Sequence, residues 1–402
     1  MTIRLPIPSV RPTMNLESHR AIRRSLVTVP LLSCAALITG VVPPATRTPA
    51  AAAAEAAGSM VPAVPDGTPE ELLAFVDELG RPSIPPRSRQ EKRQYALEAS
   101  AAAVQAADKV LAQVKPEDEL HVRAARVKLE GLETLAAPGD PQAERNLVAF
   151  AQSLAAGPHA ALAAEAAVAL LACEAKQILR TGSFDAASDL IGVIAEKLTA
   201  NADDAKIVSL AVQFASALER VPGAGRAAVE AHEAFVPLFE KSEVPQIRRA
   251  GAALARTLRR LSLPGKPMRI EGQRLDGTAF DPATLAGKVV LVDFWATWCG
   301  PCRAEIPNVK EQYEKYRDRG FEVVGVSIDE NHEAIAAFVE REEIPWPILV
   351  DTGAGGANLA RHYGIRGIPQ MILVGRDGNV ITLHARGPDL AEELAKLFPD
   401  AD

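Results

Sequence analysis

The stretch "VDFWATWCGPCRAEIP", Val292 to Pro307, decides how the chain is read. Upstream, "KVVLVDFW" is a short, β-branched apolar run, the pattern of a buried strand, broken by one acid, Asp293. Downstream, "PCRAEIPNVKEQYEKYRDRG" has the pattern of a helix and ends on Gly320. Cys299 and Cys302 therefore stand at a strand-to-helix junction, two residues apart. The chain has 4 cysteines in 402 residues, too few for a disulfide scaffold. The pair is a structural clip, half of a metal site or a working redox couple.

Outward from this junction, β and α patterns alternate. "FEVVGVSID" predicts a second strand, "NHEAIAAFVEREE" a helix and "WPILV" a short strand. "GGANLARHYG" predicts a helix, "PQMILVGRDGNVITLHARG" a hairpin turning at Asp377-Gly378, and "DLAEELAKLF" a last helix. A hairpin after βα units implies a mixed sheet covered by helices.

The chain before "LSLPGKP" is different. Aromatic residues make up 4 % of the whole and alanine fills the gap, which favours closely packed helices. "TPEELLAFVDEL" offers Thr68 as N-cap, Pro69 at the first helical position and Glu71 to close a capping box. From Arg89 to Leu261, Gly, Pro, Asp and Asn punctuate about eight helical stretches, an antiparallel, solenoid-like array. No clean repeat of about 34 residues emerges. His121, His159 and His232 lack metal-ligand spacing, and Cys173 reads as a small core residue. The expectation is a multidomain protein: an export signal or anchor in 1–50, an Ala/Pro-rich linker in 51–66, an α-helical domain in 67–262 and an α/β domain in 265–402.

The N-terminal reading rests on "SHRAIRRSLVTVPLLSCAALITGVV", where Arg20, Arg23 and Arg24 precede an apolar run and an Ala-rich tail. Cleavage, retention as an anchor and lipidation at Cys34 are all open. Each fate places the rest outside the cytoplasm, in the periplasm or cell envelope. The net charge of -7, without runs of like charge, gives no reason to expect nucleic acid as a partner.

"VDFWATWCGPC" and "YGIRGIPQMILV" resemble thioredoxin. "LPGKPMRIEGQRLDGTAFDPATLAGKVVLV" and "EIPWPILVD" are similar to the extracytoplasmic TlpA/ResA-like thiol–disulfide oxidoreductases. The resemblance covers residues 265–402, implies a thioredoxin fold there and is silent on the helical array.

Disulfide exchange needs an accessible thiolate at neutral pH. Cys299, just before Gly300 and Pro301, sits where the helix begins, and unpaired N–H groups and the helix dipole favour a negative sulfur there. Cys299 is the expected nucleophile and Cys302 the resolving thiol. A clip across two residues would stabilise little. A zinc site needs about four ligands, and no second Cys/His pair is in range. A peroxiredoxin pattern would put Thr where Ala296 stands. The resemblance implies that Pro369 is cis, that the backbone at Ile368-Pro369 pairs with an extended substrate chain, and that the ring keeps metal off the thiols.

Asp293, in an apolar strand, should be desolvated and its pKa raised, suiting proton exchange with Cys302. Thioredoxins have this Asp. TlpA/ResA-like proteins have the Glu found here as Glu305, one turn after Cys302. This chain has both, and which is the base stays open. Trp298 is expected to shield the nucleophile and meet substrate. Trp295 is left outside the site.

The expected function is reduction of disulfides in exported proteins, with no cofactor beyond the Cys299–Cys302 disulfide. Gly-Pro between the cysteines resembles the reducing thioredoxins. The resemblance implies electrons from a membrane thiol donor of the CcdA/DsbD type. The alternative is an envelope adaptor in which the helical domain, with a protein partner of its own, is the functional part.

Overall fold

Side-chain caps start five of the nine helices described in the first half. The computed structural model describes residues 60–81, 85–350 and 358–399. The segment read as signal or anchor, Cys34 included, lies outside them, as does 51–59 of the linker. No helix among the described residues is long and apolar enough to cross a membrane.

Helix α1 (Pro69–Leu79) starts at the Thr68/Glu71 capping box. Helix α2 (Arg89–Leu111) starts at a second box, Ser88/Glu91, which the sequence reading did not single out. Asp118, Asp140 and Asp204 cap α3 (Glu119–Ala136), α4 (Pro141–Ala155) and α7 (Ala205–Leu218). Each cap satisfies N–H groups that the first turn cannot pair. With α5 (Ala160–Thr181), α6 (Asp185–Ala200), α8 (Gly225–Glu240) and α9 (Pro245–Leu261), eight helices fill Arg89–Leu261. Residues 63–66, read as linker, lie along the array: Lys109 holds the Pro65 carbonyl and the Asp66 carboxylate, and Val64 packs beside Leu72 and Val110.

The core moves along the chain in steps, as expected where each helix packs on its neighbours. Leu72, Leu73 and Val110 begin it, Leu129, Leu147 and Ala151 continue it, and Leu190, Ile194, Phe214 and Phe235 complete it. Small residues allow the close approach. A Cβ added at Gly251 of α9 would lie 2.7 Å from the Cβ of Phe239 of α8.

After α9 the chain forms a six-stranded sheet: β1 (Gln273–Arg274), β2 (Val289–Trp295), β3 (Phe321–Ser327), β4 (Ile348–Val350), β5 (Gln370–Val374) and β6 (Val380–Thr382). Its order is β1-β4-β3-β2-β5-β6. β2, β3 and β4 run parallel, and β1, β5 and β6 are antiparallel to their neighbours, so the sheet is mixed as predicted. The short edge strand β1 had no clear signal in the sequence. Helices α10 (Gly300–Tyr316), α11 (His332–Arg341), α12 (Leu359–His362) and α13 (Pro388–Leu397) accompany the sheet. α12, expected across "GGANLARHYG", is a single turn among the described residues.

Every residue of β2 is buried. Alternation along the strand sends Val290, Val292 and Phe294 into one core and Val289, Leu291 and Trp295 into the other. The second core also holds Cys302, Ile306 and Val309 of α10.

Gly251→Ala sets helix propensity against packing. Alanine is the better helix former by about 1 kcal/mol, but its methyl meets the root of a side chain that cannot swing away, an overpacking cost of about 1–3 kcal/mol. We expect net destabilisation, seen as a lower urea midpoint at unchanged m-value.

Candidate active site

The central strand and the helix that follows it place the two cysteines. β2 ends at Trp295, and a tight turn, with the Cys299 N–H donating to the Ala296 carbonyl at 3.1 Å, delivers Cys299 to the N-cap of α10. Pro301 occupies the first turn, where a missing N–H costs nothing. Cys299 and Cys302 form a disulfide. The Cys302 N–H donates to the Cys299 sulfur at 3.2 Å, so the sulfur itself caps the helix.

Access is uneven. Cys299 is 5 % exposed and Cys302 2 %, while Trp298 beside them is 67 % exposed. Gly300 and Pro301 are also exposed. Trp295 turns inward instead and packs on Phe338 with ring centroids 5.3 Å apart. Trp298 thus offers an apolar surface at the rim and Trp295 does not.

The turn is tied to the next strand by a residue that the sequence reading missed. Buried Asp329, two residues past β3, accepts the Thr297 N–H at 2.8 Å and the Thr297 hydroxyl at 2.6 Å. Ser327 also donates to Asp329, at 2.8 Å. The Ser-x-Asp spacing in "VSID" was the available signal.

The Ile368–Pro369 bond is cis. β5 begins one residue later, and Gln370 pairs with Phe294 near the end of β2. Pro369 therefore lies at the sheet end from which the cysteine turn departs. Ile368 is half-buried and packs against both faces of the sheet.

The two carboxylates come to one side of the sheet. Asp293 alternates with Leu291 and Trp295, which puts it on the face covered by α10. Glu305 is one turn past Cys302 and faces inward, 8 % exposed. Their surroundings differ. Glu305 Oε1 accepts the Gly387 N–H at 2.7 Å and the Asn308 amide at 2.6 Å, and Oε2 lies 3.8 Å from Arg386. Asn308, Arg386 and Gly387 were not legible as site residues: the last two come from a segment some 80 residues downstream. Asp293 Oδ1 is buried with no hydrogen-bond partner. Burial, and then the negative charge of Glu305, pushes the Asp293 pKa up to about 7.

A dithiol at a helix N-terminus, over a buried carboxyl group able to exchange a proton near neutrality, can carry out thiol–disulfide exchange. Fold and site together define a thioredoxin-like oxidoreductase. The Redoxin family model matches residues 250–396. The thiol–disulfide oxidoreductase ResA of Halalkalibacterium halodurans is 33 % identical over 130 residues, which are 32 % of this chain and 72 % of that protein. ResA of Bacillus thuringiensis is 32 % identical over 120 residues, 30 % of this chain and 67 % of that protein. The solved thioredoxin domain of a Bacteroides vulgatus thiol–disulfide oxidoreductase aligns at 31 % identity and a TM-score of 0.31, covering 33 % of this chain and 96 % of that one. Through its C-terminal third, the chain belongs to the TlpA/ResA-like thiol–disulfide oxidoreductases. The helical array lies almost wholly outside this match.

The buried carboxyl group makes stability pH-dependent. Its folded pKa is about 7 and its ordinary value 3.8, so the unfolded chain ionises first. The contribution of Asp293 is full below about pH 4, falls as pH rises toward 7 and is level above, a loss on the order of 4 kcal/mol. Asp293→Asn should remove most of this slope. Denaturation of the oxidised protein at a series of pH values measures it.

Proposed function

We propose that the protein is an exported reductase of protein disulfides. The observation that carries this reading is Cys299, with its sulfur as the cap of α10 and exposed residues on both sides of it in the chain. In the reduced protein, helix N–H groups favour the Cys299 thiolate. That thiolate attacks one sulfur of a substrate disulfide, joins it as a mixed disulfide and releases the other as a thiolate. Cys302 then attacks the Cys299 sulfur, with its proton passing to Asp293. The Cys299–Cys302 disulfide forms and the second substrate thiolate leaves. Two electrons pass from the dithiol to the substrate.

Glu305 holds Asn308 and the Gly387 backbone, so we assign it to shaping the site and Asp293 to moving the proton. Trp298, Gly300, Pro301, Ile368 and Pro369 would receive the substrate chain. The disulfide serves in place of a cofactor. Regeneration needs two electrons from a membrane thiol donor of the CcdA/DsbD type, and the basic-then-apolar N-terminus supports an extracytoplasmic location. The helical domain would meet a protein partner.

The midpoint potential of the cysteine pair tests the direction. A value near −270 mV, like thioredoxin, is expected, and one near −120 mV would mark a disulfide donor instead. Cys302→Ser should accumulate the mixed disulfide at Cys299, detected by intact-protein mass. Asp293→Asn should slow reduction on the order of 10²-fold and abolish the rise in rate with pH through about 7, whereas Glu305→Gln should retain that rise.

A further inference from the structure

The last turn of α9 grips the segment that leads into the cis proline. Gly364, at φ 60°, lies against it so closely that an added Cβ would be 2.7 Å from the Thr257 nitrogen and 2.9 Å from the Arg256 carbonyl carbon. Both are backbone atoms, so no side-chain motion relieves the contact. Arg259 donates to the His362 carbonyl at 2.6 Å. Arg260 is buried and spans two partners: Nε donates to the Tyr363 carbonyl at 3.3 Å and Nη2 to Glu219 at 2.9 Å. Glu219 follows α7 directly and faces His232 of α8 at 3.5 Å, so Arg260 links three helices of the array to the loop. Arg366, two residues nearer the proline, donates to Ser216 of α7 at 3.2 Å.

These contacts fall on residues 362–366, and Gly367, Ile368 and Pro369 follow immediately. An interface that only joined two bodies could use any part of the α/β surface. This one takes two backbone carbonyls just before the backbone that the proposed function assigns to the substrate chain. We propose that Arg260, held by Glu219, is a positioning residue through which the helical array sets the cis-Pro369 loop for an extended polypeptide substrate. The inference rests on the reductase reading and adds that the array is part of substrate selection. The ligand class is a disulfide-bearing chain able to lie as a strand, as opposed to a small disulfide that touches the sulfurs alone.

Two probes with one leaving group separate these cases: a ten-residue peptide carrying its cysteine as a mixed disulfide with thionitrobenzoate, and the symmetric dithiobis(nitrobenzoate). In each reaction the reduced protein gives up two electrons and forms the Cys299–Cys302 disulfide. The peptide probe yields peptide thiol, coloured thionitrobenzoate and one proton. In Arg260→Lys, a single ammonium replaces the fork that reaches both partners while the charge opposite Glu219 stays. We expect KM for the peptide to rise about tenfold at similar kcat, with the rate on the small disulfide and the midpoint potential within twofold of the parent. Arg366→Ala, at an exposed residue, should shift the peptide KM the same way at an unchanged thermal midpoint, and it decides the matter should Arg260→Lys unfold. Unchanged peptide kinetics, or an equal loss on both probes, would overturn the inference and leave the reductase reading intact. A parent protein that reduces neither probe would overturn both.

Discussion

The buried Asp293 carboxyl group of the central strand, whose Oδ1 has no hydrogen-bond partner, is the constraint around which the α/β part is arranged. Moving a charge from water into such a site is costly, and the protein meets the cost by holding a proton there instead. That solution needs a strand that cannot let water in. β2 supplies it: paired on both sides, buried at every residue, and covered on the Asp293 face by α10. The cap that starts α10 is the cysteine sulfur itself, so the elements that bury Asp293 also place the disulfide. Loss of packing at Ile306 or Val309 would therefore alter the chemistry as well as the stability.

The second carboxylate shows why two acids on one face do not duplicate each other. Glu305 is met by a backbone N–H, an amide and, more distantly, a guanidinium, which offset its burial through local bonds. Its charge then acts on Asp293 and raises the pKa that burial has already raised. One acid is held by hydrogen bonds, and Oδ1 of the other has no such partner. This difference in surroundings supports the proposed assignment of the proton to Asp293 and of the shaping role to Glu305.

Most of the α/β fold and the cysteine pair were legible in the sequence because their signals are local. β2 reads as a run of buried residues, α10 as a helix opening on Cys-Gly-Pro-Cys, and the hairpin as strands around Asp377-Gly378. The helical array was legible for the same reason, through caps such as Thr68 with Glu71. What stayed hidden depends on residues far apart in the chain. Arg386 and Gly387 reach Glu305 across the fold, and Asp329 holds Thr297 from 32 residues away. Strand β1, at two residues, is too short to show a period. In each case the local pattern fits an ordinary surface or turn residue, and tertiary placement gives it a role.

The junction between array and oxidoreductase domain is the strongest case of that kind. Arg260 and Tyr363 are 103 residues apart, and nothing near either one marks the contact. Arg260 reads as one more basic residue in the last turn of a helix, where such residues are common because they suit the dipole. Gly364 reads as an ordinary turn glycine. Together they bring a helix end and a loop to backbone contact, which no flexible tether between independent domains would need. The Tyr363 hydroxyl adds to this by accepting the Arg269 N–H at 2.8 Å and donating to the Arg269 carbonyl at 3.1 Å. The connection after α9 is thus pinned to the same short segment that α9 grips. Tyr363 ties the connection after α9 and the segment before the cis proline to one set of residues.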